Sequence, residues 1–150
     1  MSTLGFFLKR AVFDLLEPMA GPGQVLADVQ LEYATPGKWS DLCVYLGGFT
    51  SEQPHTDDVV DGDDVAPQET VTLGLYIRSA AQGLTNREQD ARAEDVGDRI
   101  GAILRRNPRM CGNNTVTLMG GGTGDYVNTD DGVIVIAQHR IVMMGYLDPH

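Results

Sequence analysis

The residues that could do chemistry are few, and their spacing argues against most of the chemistry they suggest. Between Pro54 and Pro67 runs an acidic stretch, Thr56-Asp57-Asp58-Val59-Val60-Asp61-Gly62-Asp63-Asp64. An EF-hand loop needs oxygen ligands at its first, third and fifth positions and a glutamate at the twelfth. Starting from Asp57 puts Val59 third and Gln68 twelfth, so that pattern fails. The run Gly120-Gly121-Gly122-Thr123-Gly124 invites a phosphate cradle. It lacks the Gly-Lys-Ser/Thr ending of a P-loop and the spacing of a dinucleotide fingerprint. His55, His139 and His150 show no ligand spacing, whereas a metal needs three or four converging donors. Cys43 and Cys111 stand alone without a CxxC pair; Cys43 lies in an apolar run, where a free cysteine behaves as a small hydrophobe. No nucleophile elbow, paired-carboxylate site or Cys/His pair emerges, so the sequence assigns no catalytic residue, no metal and no cofactor.

Charge narrows the partners. Eleven Lys and Arg against 21 Asp and Glu leave a net charge of −10. Nucleic-acid binding relies on Lys and Arg that release counterions from phosphates. The basic residues here cluster no further than the pairs Lys9-Arg10 and Arg105-Arg106, which excludes a nucleic-acid grip. An acidic surface serves solubility, or lets DNA slide past. Phe6-Phe7-Leu8 is interrupted at once by Lys9-Arg10, unlike a signal peptide. No run approaches the ~20 apolar residues of a membrane span. A reducing cytoplasm suits two unpaired cysteines.

A chain of 150 residues fits one domain, 1–150, with no internal repeat. Ser2 or Thr3 caps a first helix that runs to about Glu17 and is ended by Pro18 and Gly21-Pro22-Gly23. Leu4, Phe7, Leu8, Ala11, Val12 and Leu15 share one face at 100° per residue, the face expected on the core. Phe6 and Phe13 fall on the other side, two turns apart, as a candidate subunit or tube interface; cover by Gly21–Gln24 or by Tyr146-Leu147 is the competing account. Val25 to Tyr33 alternates like a half-buried strand, and Leu42 to Phe49 reads as a second. The short turn between them favours antiparallel pairing. Residues 50–68 form a long acidic loop, followed by a third strand over Glu69–Arg78. Thr85-Asn86-Arg87-Glu88 is a capping box. It opens a helix whose buried stripe is Ala93, Val96, Gly97, Ile100, Ile103 and Leu104, and which Pro108 stops. Thr115–Met119 is a fourth strand, 120–132 a flexible connection, and Val133 to about Leu147 the last strand. The expected fold is α+β, a mixed and largely antiparallel sheet of about five strands packed with two helices in the order α-β-β-β-α-β-β. Asp57, Asp58, Asp61, Asp63, Asp64, Asp125 and Tyr126 become candidate contact residues on mobile loops.

The first helix, Val25-Leu26-Ala27-Asp28-Val29-Gln30-Leu31-Glu32-Tyr33, Pro36-Gly37-Lys38-Trp39, Leu42–Gly48, Glu69–Leu73 and the helix Ala91–Ile100 together resemble the tail terminator (tail completion) proteins of long-tailed bacteriophages, especially those of actinobacteria. The resemblance lies in element order and strand texture over nearly the whole chain, and the 50–68 and 120–132 connections depart from it in length. It implies a structural virion protein of the neck, assembled in the host cytoplasm, with no catalytic role. Six copies would close into a homo-oligomeric ring that caps the tail tube, ends its polymerisation and meets the head-completion or connector protein. Genomic DNA would pass through without specific binding, and no membrane is involved. Another head–tail connector or head-completion subunit has a similar element order. A small enzyme or ligand-binding domain is the rival of a different class, marked by a tight pocket with converging polar groups.

Overall fold

The computed structural model describes residues 4–52, 68–112, 114–119, 124–130 and 132–146. Helix α1 (Leu4–Leu16) runs into a short 3-10 turn over Glu17–Ala20, where Pro18 cannot continue an α-helix. After it come β1 (Gln30–Glu32), β2 (Leu42–Glu52) and β3 (Gln68–Ser79). Helix α2 (Asn86–Arg106) precedes β4 (Thr115–Met119), β5 (Gly124–Thr129) and β6 (Gly132–Tyr146). The α+β class holds, with a sheet ordered β1-β2-β3-β6-β4 and β5 also on β6. All pairs are antiparallel except β1 with β2.

The alternation read from the sequence decides the layers. In β3 the odd positions Val71, Leu73, Leu75 and Ile77 are fully buried, and both helices pack on their side of the sheet. The even positions Thr70, Thr72, Tyr76 and Arg78 lie on the opposite, open face. Helix α2 starts as its capping box dictates. Thr85 accepts from the Glu88 amide at 3.2 Å, and Glu88 accepts from the Thr85 amide at 3.2 Å. Its expected stripe is buried, together with Gln89 and Gly101.

Four expectations are corrected. Only Gln30–Glu32 of the stretch 25–33 is strand, because the preceding residues coil into turns that pin Leu26 to Met19 and Val29 to Leu26 by backbone hydrogen bonds. Leu26 and Val29 are buried by those turns, so they serve the core without a strand. Strand β1 runs parallel to β2, with Gln30 opposite Cys43. It is only three residues, about 10 Å long, and residues 33–41 easily cover the return. The Gln30 side chain holds that return: its Nε2 donates to the Lys38 carbonyl at 2.8 Å and its Oε1 accepts from the Ser40 amide at 2.7 Å.

The third correction concerns α1, which buries Gly5, Leu8, Val12 and Leu16 while Phe7 is 43% exposed. A Cβ built at Gly5 would meet Phe49 Cε2 at 2.0 Å, so the Phe49 ring lies on the bare helix backbone and turns that face inward. A glycine carries no hydrophobic signal, which is why the pattern pointed one residue-step away. Fourth, the connection 120–132 contains strand β5, which pairs antiparallel with β6 from Gly124 opposite Ala137 to Thr129 opposite Gly132. Among the described residues the sheet therefore has six strands.

Strand β2 carries a bulge. Leu46 faces Leu75 and Phe49 faces Leu73, so Gly47 and Gly48 oppose Gly74 alone. The extra residue keeps both Leu46 and Phe49 on the helix side.

Candidate assembly surface

The open face of the sheet is where the described side chains gather most conspicuously. Tyr45 and Tyr76 sit opposite each other on β2 and β3, stacked with ring centroids 5.0 Å apart. Trp39 packs edge-on to Tyr45 at 5.3 Å, and the Arg78 guanidinium lies 4.6 Å over the Trp39 ring. Glycines make room for this. A Cβ at Gly47 would come within 2.6 Å of Tyr76 Cε2, so the Tyr76 ring lies across the bulge. Cys43, on the same face, is fully buried. Further along, the face carries Thr50, Thr72, Val142 and Thr117 in one row, with Met144 48% exposed in the next. Tyr, Trp, Met and Arg are the residues enriched where proteins meet. The sequence reading missed this cluster because it treated the second face of each strand simply as the wet side. The signal was available: Tyr45 and Tyr76 hold outward positions in two successive strands, where a solvated face would carry charge.

The α1 side offers a second patch. Phe6 is 52% exposed and packs edge-on to Phe49 at 4.9 Å. Phe13 is half-buried against Tyr33 at 5.3 Å, and Lys9 Nζ caps that ring at 4.4 Å from its centroid. The two phenylalanines thus share a side of the helix but differ in role: Phe13 packs against the core, and Phe6 stays at the surface. Asp57, Asp58, Asp61, Asp63 and Asp64 lie outside the described residues. Asp125 and Tyr126 lie in β5, every residue of which is exposed, and Tyr126 donates to Asp90 Oδ2 of α2 at 2.8 Å.

Among the described residues no group of three or more His, Cys, Asp or Glu side chains could hold a metal. Cys43 and Cys111 are free and buried, and desolvation pushes both thiols up to about 11. Burial shields Cys111 as it does Cys43. His139 faces α2, where a Cβ at Gly97 would meet its Cε1 and Nε2 at 3.3 Å. Burial lowers its pKa against the pull of Asp98, and its Nδ1 has no hydrogen-bond partner. Arg99 is tied to Asp28 at 2.8 Å and to Asp95 at 3.0 Å, which joins α2 to the turn before β1. A groove between the 39–41 segment and the β5–β6 hairpin, partly open to solvent, is lined by Trp39, Ser40, Asp41, Arg78, Gln82 and Thr129. Among the described residues no helix is long and apolar enough to cross a membrane.

No protein-family model matches the chain, and no curated protein does. Among solved structures the fold is similar to that of a chain in the virion of a native gene transfer agent particle. The TM-score is 0.53 at 14% identity, with 97% of this chain and 100% of that chain covered. Likeness at that identity speaks to the fold, and it extends from one end of both chains to the other.

Proposed function

We propose that this chain is a structural virion protein of a tail neck. Six copies form a ring that caps the tail tube, ends its polymerisation and presents a surface to the head-completion or connector protein. The observation that carries this reading is the likeness to a virion chain over 97% of this chain and 100% of that one. The geometry supports it. Among the described residues the helices lie on one face of the sheet, and the other face is rich in aromatic, Thr and Arg side chains. Genomic DNA passes the ring without specific binding, in keeping with a net charge of −10. No reaction is assigned.

Within this reading Phe6, with Phe13 half-buried beside it, contributes to the contact with a neighbouring subunit or the tail tube, because exposed aromatic rings anchor interfaces. Phe6→Ser should leave the fold intact, with a melting curve close to the parent, and should weaken ring formation or tail capping seen by negative-stain microscopy. Adding Phe13→Ser should also cost about 1–2 kcal/mol of stability, since that ring touches the core. Normal assembly of a folded Phe6→Ser chain would move the interface elsewhere. On this reading Asp57, Asp58, Asp61, Asp63 and Asp64, with Asp125 and Tyr126, contact neighbouring virion proteins.

A further inference from the structure

The open face of the sheet and the outer side of α2 carry opposite charge. Among the described residues, the open-face positions of the two central strands, β3 and β6, hold two charges, Arg78 and Arg140, both positive. On a chain of net charge −10 that is a local reversal. Arg140 is exposed, Arg78 is half-buried over Trp39, and neither has an ion pair among the described residues. Arg140 lies opposite Gly74, four residues from Arg78 along β3, so the two sites are about 14 Å apart. Tyr76 and Gln138 fill the row between them.

The matching surface is on α2. Asp90, Glu94 and Asp98 recur every four residues and form one stripe along the helix, about 12 Å from first to last. Glu94 and Asp98 are exposed. The arginines nearest to them in sequence are engaged elsewhere, Arg92 with Asp41 and Arg99 with Asp28 and Asp95. Glu94 and Asp98 are thus left without an ion pair among the described residues. Asp90 accepts from the Tyr126 hydroxyl at 2.8 Å, which sets a ring that is 52% exposed at one end of the stripe. Arg105 and Arg106 stand two turns beyond the other end.

The two surfaces agree in length and oppose in sign, yet one chain cannot join them. Helix α2 packs on the side of the sheet away from Arg78 and Arg140, with His139 of β6 against its Gly97. A second copy can bring its α2 onto the open face, giving the sheet a helix on each side, an ordinary layer arrangement. Contact of two open faces, or of two α2 stripes, would set like charges together, which disfavours a symmetric pair. The contact is therefore head-to-tail, the kind that repeats and can close into a ring.

We propose that the open face of each copy receives α2 of the next, with Asp90, Glu94 and Asp98 laid along Arg78 and Arg140. The inference rests on the ring reading and names the contact that makes the ring.

Two variants of the full-length chain test it by light scattering, alone and on tail tubes. Arg78→Glu with Arg140→Glu reverses the open face, and Glu94→Lys with Asp98→Lys reverses the helix. Either variant by itself opposes like charges at every joint and should lose assembly, with a monomer melting curve close to the parent. Mixed in equal amounts, the two should assemble again, because each reversed face then meets its opposite in strict alternation. Arg78 also stacks on Trp39 and donates to the Ser40 carbonyl, so Arg140→Glu alone replaces the first variant if its melting curve falls. Assembly of either variant by itself, or a mixture that stays monomeric while both melt like the parent, overturns the α2 contact and leaves the ring standing. Failure of the parent chain to assemble, alone or on tail tubes, overturns both.

Discussion

Replacing Gln89 with leucine should lower stability by about 3 kcal/mol, because one buried side chain satisfies groups from three elements. Gln89 is fully buried on the first turn of α2. Its Nε2 donates to the Ala81 carbonyl at 2.9 Å and to the Val133 carbonyl at 3.2 Å. Its Oε1 accepts from the Ser79 hydroxyl and from the Ala81 amide at 3.4 Å. Leucine fits the volume but strands these buried partners, and for a chain of this size the loss corresponds to a drop of about 6–12 °C in melting temperature. Gln89→Glu gives the effect a pH signature. Burial disfavours the charged carboxylate, so its folded-state pKa rises above the ordinary value near 4.3. The group then contributes fully below the unfolded pKa, and stability is lost as pH climbs through the raised folded value. Thermal melts of variant and parent across pH should diverge upward from about pH 4. Parallel curves would mean that the site admits water.

Leu73→Ala should cost about 2–5 kcal/mol, the range for deleting a buried leucine that leaves a cavity. Leu73 has no exposed surface, and its strand lies beneath both helices. Its neighbour Thr72 faces the other way, and Thr72→Ala in the monomer should stay within about 0.5 kcal/mol. Denaturant unfolding of the two variants reads the difference directly. Comparable losses would mean that the open face is covered within one chain.

What the sequence made legible follows its signals. The α2 capping box, its buried stripe, β3 and the long final strand each rest on a strong local pattern, and each is present. The failures occur where the deciding contact is remote. Val25 to Tyr33 alternates well, yet the turns that bury Leu26 and Val29 depend on Met19 and on the preceding 3-10 turn. The parallel β1 follows from Gln30 bonding to the backbone eight and ten residues on. The rotation of α1 depends on Phe49 resting on Gly5. The exposure of Phe6 was legible from helical phase, whereas the Trp39–Tyr45–Tyr76–Arg78 cluster required knowing that the helices share one face.

The central claim is that copies of this chain close into a ring, and the molar mass of the assembled species tests it most directly. Light scattering on the full-length chain, alone and after incubation with tail tubes followed by release, should give about six times the 16.2 kDa chain mass. Negative-stain images of the same fraction should show a closed annulus. A chain that remains at 16.2 kDa under both conditions, with tubes growing unchecked in its presence, would contradict the account.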